Sequence, residues 1–253
     1  MKRSDSPIVL VTGATSGIGK ATSALLTERG WHVAATGRNS EVLQQLIDDK
    51  LARWSFEADL VDSETASQLV ANVLKEAGRL DGLVHAGGIL TSGGMDNETD
   101  EGWNRLIEVN LNASWRILKA AWEALKTTKG SAVLVSSVTG LRSFPNLIGY
   151  CVSKAGVDQL VRSAALDGAP HGVRVNGVNP GVVVTNLHKA GGMNEESYAN
   201  FLEHSKSTHP LGRVGQADEV AEAICWLLDD QTSGWITGAS LPIDGGRQLT
   251  CAR

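Results

Sequence analysis

The chain has 253 residues, 42% apolar and 20% charged, which is ordinary globular composition. A chain this long can bury roughly 70–75% of its unfolded surface in one large core. Its net charge of -5, from 23 basic and 28 acidic residues, argues against a nucleic-acid footprint, which needs a basic balance or stripe.

The first segment, residues 1–7, is short and polar, and only 8–11 follows as an apolar run. That is no secretory signal. No apolar stretch has the length to span a bilayer, so the expectation is a soluble, cytoplasmic protein. Cys151, Cys225 and Cys251 are too scattered for a disulfide framework or a zinc site. They read as buried or near-terminal thiols of a reducing compartment. Cys151 adjoins Tyr150, but neighbours on a helix point about 100° apart, so the thiol need not face the same pocket.

Residues 8–11 have the β-branched look of a buried parallel strand. Thr12-Gly13-Ala14-Thr15-Ser16-Gly17-Ile18-Gly19 follows at once, and 20–29 reads as a helix closed by Gly30. Strand, glycine loop and helix form the context in which glycines imply phosphate binding. One permits a tight turn, one lets backbone N–H groups approach a pyrophosphate, and one lets the helix pack on the strand. The helix N-terminus adds partial positive charge. A second strand over 31–36 ends Thr36-Gly37-Arg38-Asn39 and a helix covers 41–51. An NAD site places an acid on the ribose about 20 residues past the glycines. None stands here, and the planar guanidinium of Arg38 suits the 2′-phosphate of NADP(H) instead.

Strand 54–58 ends in Asp59, and helix 63–76 has Ser63 as its N-cap. Strand 80–86 breaks at Gly87-Gly88, and 88–94 is glycine-rich and reads as a mobile connection. A long helix lies within 100–126, with Trp103, Ile107, Asn110, Leu111, Trp115 and Leu118 at near-helical spacing. Its tryptophans read as packing residues. Strand 131–137 ends in Ser136 and Ser137. Helix 148–166 carries Tyr150 and Lys154, which share one face because they lie four apart. An ammonium near a phenol favours the phenolate and lowers its pKa. Strand 173–178, the segment 182–184 after Asn179-Pro180-Gly181, helices over 194–206 and 217–228, and strand 239–243 before Asp244-Gly245-Gly246 complete the chain. Glu195-Glu196 reads as a first helical turn favoured by the macrodipole.

Strands alternating with helices imply a parallel sheet covered on both faces, with ligands at the carboxyl ends of its strands. The glycine loop, Gly87-Gly88, Ser137 and Pro180-Gly181 all follow strands and are expected to gather at one edge. No repeat or linker marks a second domain, so residues 1–253 read as one.

Taken together, these motifs resemble the short-chain dehydrogenase/reductase family over nearly the whole length. The matching positions are the 12–19 loop, Asp59, Asn110 within Val109-Asn110-Leu111, Ser137, Tyr150, Lys154, Pro180-Gly181, Thr185 and Asp244-Gly245-Gly246. The resemblance implies a Rossmann-like, doubly wound, seven-stranded α/β sheet. It implies an NAD(P)(H) cofactor, a small carbonyl or alcohol substrate, and a homotetramer or dimer formed through the helices around Tyr150 and Asn110.

The resemblance also assigns roles. Tyr150 is the general acid in carbonyl reduction and the base in alcohol oxidation. Ser137 bonds the substrate oxygen, Lys154 lowers the Tyr150 pKa and binds the ribose, and Asn110 holds a water linking Lys154 to solvent. From the residues alone, Asn110 reads equally as a core amide satisfied by backbone. The cofactor contacts implied are Gly13, Thr15, Ser16, Gly17, Ile18, Gly19, Arg38, Asp59 on the adenine amine, Leu60, Ala86, Gly87 and Gly88. They continue with Tyr150, Lys154, Pro180, Gly181, Val183 and Thr185.

Two departures stand out. His85-Ala86-Gly87-Gly88 replaces the family's Asn-Asn-Ala-Gly, and His85 is left to supply one lost bond. It has no clustered partner for metal binding. Ser16 stands where many NADP-preferring relatives carry Lys or Arg, so Arg38 supports the preference largely alone. Residues 186–209, with Gly191-Gly192, Met193, Tyr198 and Phe201, are expected to form a lid over a medium-sized, partly apolar substrate. The expected function is hydride transfer between NADP(H), favoured over NAD(H), and a carbonyl or alcohol. A 3-oxoacyl-thioester reductase, or a non-catalytic dinucleotide-binding regulator, is the alternative.

Overall fold

The computed structural model describes residues 6–250. Cys251 lies outside them, as does most of the leading segment. Seven strands, β1 Ile8–Thr12, β2 His32–Gly37, β3 Trp54–Glu57, β4 Gly82–His85, β5 Ser131–Val135, β6 Arg174–Pro180 and β7 Ser240–Ile243, form one sheet. Their order is β3-β2-β1-β4-β5-β6-β7, and every pair is parallel. The order reverses between β1 and β4, where an open parallel sheet leaves a crevice at its carboxyl edge.

Alternation along each strand divides the core. Leu10, Leu83, Ala132, Leu134 and Val175 face a cluster shared with helices Thr65–Ala77, Ala113–Thr128 and Ile148–Gly168. Val9, Val11, Val84, Val133 and Val178 face the other side, against Gly17–Glu28, Ser40–Asp48 and Ala217–Leu228. Because both faces are covered, the central strands β1, β4 and β5 are near-continuous apolar runs rather than alternating ones.

Several expected boundaries shift. The first helix begins at Gly17, inside the glycine loop, rather than at residue 20. Ser63 is not an N-cap: the helix starts at Thr65, its cap is Glu64, and no side chain bonds the first turn. The expected long helix is continuous in path but has a π-helical turn, Ile107–Asn112, between Asp100–Leu106 and Ala113–Thr128. Trp115 is 49% exposed and so is not a core residue. The amine of Lys119 sits 4.8 Å from its ring centre. Segment 88–94, expected to be mobile, is tied at both ends. The Ile89 N–H donates to Asn110 Oδ1, and Gly93 exchanges backbone bonds with Asn146 and Ile148. Short helices at Val138–Leu141, Leu187–Ala190 and Asp230–Ser233 are too brief to leave a periodic signal in sequence.

The tightest glycine approach to backbone among the described residues lies under the glycine loop. A Cβ on Gly19 would stand 2.2 Å from the carbonyl oxygen of Gly13. Gly13 itself has φ +67, and its Cβ would stand 2.8 Å from the Gly87 nitrogen. Gly19→Ala therefore forces the loop off the helix. Urea unfolding should show a loss on the order of 3 kcal/mol or more, against about 1 kcal/mol for Gly78→Ala, where only the positive φ is strained. Equal small losses at both positions would remove the close approach as an explanation.

Candidate active site

The loops after β1 to β6 meet at the carboxyl edge of the sheet. The helix Gly17–Glu28 points its N-terminus into this crevice. Its N-cap Ser16 is extended and makes no side-chain capping bond, and no acid occupies the first turn. The first-turn N–H groups are thus left for an outside anion. Here Gly13, Thr15, Ser16, Arg38, Asp59 and Leu60 line a cavity of about 170 Å³ with Ala86, Gly87 and Gly88. The Asp59 carboxylate accepts from the Val61 N–H at 3.2 Å, so it also serves the local turn.

A second cavity of about 410 Å³ continues from the first and shares Ser16, Arg38 and the 86–88 backbone. Gly17, Ile18, Ser137, Tyr150 and Lys154 line it, as do Pro180, Gly181, Val183 and Thr185. Two expected site residues line neither cavity. Gly19 is buried behind the loop. Asn110 sits behind Gly88, where a Cβ on that glycine would be 3.1 Å from Asn110 Oδ1 and 3.4 Å from Lys154 Nζ. The Asn110 amide is bonded to the backbone of Ile89 in both directions and donates to Ser153 Oγ at 3.1 Å. Its side chain is the core amide that the residue alone suggested: both amide hydrogens are engaged, and Oδ1 accepts one bond and keeps a second lone pair.

Tyr150 and Lys154 are buried one turn apart on the helix Ile148–Gly168. Ser137 hydrogen-bonds the Tyr150 phenol, and its oxygen accepts from the Thr139 N–H at 3.2 Å. The expected lowering of the phenol pKa by Lys154 does not hold here. Burial pushes Tyr150 up to about 12, and the Ser137 bond offsets only part of that. The Lys154 ammonium lies 5.8 Å from the ring centre and donates to the Val135 carbonyl at 2.9 Å. Burial also brings its pKa down to about 8, against the pull of Asp158. Cys151, half-buried, faces neither cavity.

His85 does supply a bond in place of the missing amide. Its Nδ1 lies 2.7 Å from Thr12 Oγ1, tying β4 to β1. Its Nε2 is buried without a partner. Burial first, and the Lys154 charge second, bring its pKa down to about 3, so it stays neutral. Among the described residues, no group of three or more His, Cys, Asp or Glu side chains could hold a metal ion.

One support was missed in sequence. Asn179 donates to the Ser137 carbonyl at 2.9 Å and to both carboxylate oxygens of Asp158. Asp158 lies four residues after Lys154, so the spacing that pairs Tyr150 with Lys154 could have flagged it. The far wall comes from the first residues of the expected lid segment rather than from its aromatic side chains. Tyr198 is buried with its hydroxyl on the Thr185 carbonyl, and Phe201 packs on His188 at 4.6 Å. Asn186, Leu187, His188, Ala190 and the expected Gly191 line the cavity.

A family model described as enoyl-(acyl carrier protein) reductase matches residues 13–248. Cyclohexanol dehydrogenase of Acinetobacter sp. is 34% identical over 251 residues, which is 95% of this chain and 94% of that protein. The 3-oxoacyl-(acyl-carrier-protein) reductase FabG of Thermotoga maritima is 33% identical over 249 residues, covering 96% of this chain and 98% of that one. A short-chain dehydrogenase/reductase of unknown function from Caenorhabditis elegans, solved with its cofactor, matches at a TM-score of 0.92. The identity is 31%, over 98% of this chain and 97% of that one.

The neutral His85 makes stability depend on acid. Its folded pKa lies below its unfolded value, so its contribution is complete above about pH 6.5 and is lost as pH falls toward 3. Between about pH 6.5 and pH 4.5 the wild type should lose about 2 kcal/mol that His85→Asn does not lose. Urea unfolding at the two pH values measures this. Parallel losses would show that the imidazole is not what acid attacks.

Proposed function

Because this chain belongs to the short-chain dehydrogenase/reductase family, we propose that it moves a hydride between NADP(H) and a carbonyl or alcohol carbon, with Tyr150 as the proton donor or acceptor. It is an oxidoreductase of CH–OH groups and binds NAD(P). The observation that carries the proposal is the convergence of Ser137, Tyr150 and Lys154 on a cavity continuous with the glycine-loop crevice.

The crevice fits a dinucleotide. The uncapped helix start at Gly17 suits a pyrophosphate. The exposed Arg38 guanidinium, at the edge of both cavities, suits a 2′-phosphate and favours NADP(H) over NAD(H). Gly13, Thr15, Ser16, Gly17 and Ile18 would hold the phosphates and adenosine ribose. Asp59 and Leu60 would flank the adenine. Pro180, Gly181, Val183 and Thr185 would frame the nicotinamide, which supplies or takes the hydride when bound. Gly19 supports this set from behind.

Ser137 then orients the substrate oxygen and stabilises charge developing on it. Tyr150, held protonated by burial, donates its phenol hydrogen to that oxygen in reduction. Lys154, still charged below about pH 8, compensates a phenolate and would hold the nicotinamide ribose. Asn110 would hold the Ile89 backbone and Ser153 beside Lys154, with an Oδ1 lone pair left for a water that links Lys154 to solvent. Residues 186–209 form the substrate lid of a single 1–253 domain.

Exposed apolar side chains, Trp115 and Val152, on the helices that carry Asn110 and Tyr150 support a homo-oligomer, tetramer or dimer. No helix among the described residues is long and apolar enough to cross a membrane, which is compatible with the proposed cytoplasmic location. A 3-oxoacyl-thioester reductase is the second reading, supported by the similarity to the Thermotoga maritima reductase.

Tyr150→Phe should reduce turnover by about 100- to 10,000-fold while NADPH affinity, read by fluorescence titration, stays within about two-fold. Unchanged turnover would remove Tyr150 from the chemistry. Arg38→Asp should raise the KM for NADPH by about ten-fold or more and that for NADH by far less. Equal effects on both cofactors would mean that Arg38 does not read the phosphate.

A further inference from the structure

The arginines of this chain divide sharply. Arg29, Arg79, Arg116 and Arg213 pair with carboxylates. Arg53, Arg142, Arg162, Arg174 and Arg247 are held by side-chain or carbonyl acceptors. Arg38 and Arg105 alone among the described arginines have no hydrogen-bond, ion-pair or ring partner, and both line the larger cavity. Lys154 lines it too, and no Asp or Glu does. The chain as a whole carries -5. A cation-lined cleft in an acidic protein concentrates anions.

Arg38 stands beside the glycine loop and is accounted for by the cofactor. Arg105 lies on the helix Asp100–Leu106, next to Leu106, which packs with Leu90 and Tyr150. Unlike Arg38, Arg105 does not line the glycine-loop cavity and lines only the one that holds Ser137 and Tyr150, which is the substrate end. Two further polar groups sit there without partners. Thr91 Oγ1 and His188 Nδ1 are both buried and unbonded, and both residues line the same cavity. Their segments meet closely, since a Cβ on Gly191 would be 2.4 Å from the Leu90 carbonyl oxygen. A buried polar group left unbonded is costly. A hydroxyl turns about one bond and an imidazole can present a donor, so each can serve an acceptor placed in this cavity. Leu90 and Leu187 supply the apolar remainder.

We propose that the substrate is an anion, a carbonyl or alcohol compound bearing a carboxylate away from the reacting carbon, with Arg105 as its principal recognition group and Thr91 and His188 as supporting donors. This rests on the hydride-transfer reading above. A guanidinium matches a carboxylate with two parallel hydrogen bonds, so Arg105 sets selectivity rather than rate.

The test compares 4-oxocyclohexanecarboxylate with its ethyl ester, as substrates with NADPH and as ligands of the NADP⁺-loaded protein by calorimetry. The wild type should prefer the acid by about ten-fold or more in kcat/KM and in affinity. Arg105→Gln should reduce that preference at least about ten-fold, through KM rather than kcat, and Arg105→Lys should restore part of it. Weaker NADPH binding in Arg105→Gln, with the acid preference intact, would make Arg105 a cofactor residue and overturn the proposal. Equal binding of acid and ester by the wild type would also overturn it. If the acid binds selectively through Arg105 but neither compound is turned over, the anion site stands and the hydride-transfer reading for this substrate class fails.

Discussion

Removal of water from a phenol and an amine in the same pocket is the constraint around which this molecule is arranged. Burial disfavours the charged form of each, raising Tyr150 and lowering Lys154. Left alone, the pair would sit neutral and inert to its neighbours. The surrounding structure counters this with fixed dipoles. The Val135 carbonyl receives the ammonium, Ser137 bonds the phenol, and Asp158 supplies negative charge one turn further on. The carbonyl of Lys154 is in turn bonded by Ser136 at 3.0 Å. The site is therefore held by the ends of β5 and β6 as much as by its own helix. A preorganised set of dipoles of this kind needs no rearrangement when charge appears on a substrate oxygen.

Much of this was legible in the chain because the signals are local. A β-branched run, a glycine loop and a helix are contiguous, and so is a four-residue helical spacing. The positions of Tyr150, Lys154, Ser137 and the glycine crevice follow from them, as does the parallel sheet. What sequence could not supply is the sign of a competition between distant groups. The spacing of Tyr150 and Lys154 predicts attraction between phenolate and ammonium, but the depth of burial that outweighs it depends on Leu90, Leu106 and Ile89 packing around Tyr150 from other segments. The same holds for Asn110. Its place in a motif pointed to a single role, whereas its amide also ties down a loop 21 residues earlier in the chain, a contact no local spacing reveals.

Substitution of a familiar motif illustrates how a fold absorbs change. Where His85 stands, one imidazole nitrogen takes over the cross-strand bond to Thr12 and the other is left buried without a partner. The strand register of β1 and β4 is undisturbed, with Thr12 opposite His85. The cost falls on the protonation state, not on geometry: the ring must remain uncharged because a cation there would face both burial and the Lys154 ammonium. A polar residue in a central strand is thus tolerated when one bond is retained and the charge is suppressed.

The π-helical turn Ile107–Asn112 has a wider meaning for the helix that contains it. Before the turn, Leu106 is directed to the Tyr150 wall; after it, Ile117, Leu118, Ala121 and Leu125 are directed to the sheet. Each residue of an ordinary helix advances the direction of its side chains by about 100°. The wide turn therefore acts as a phase adjuster between two surfaces that a uniform helix would not serve together. Losing or gaining one residue there would swing one set of side chains away from its target, so this stretch tolerates exchange of side chains far better than any change of length.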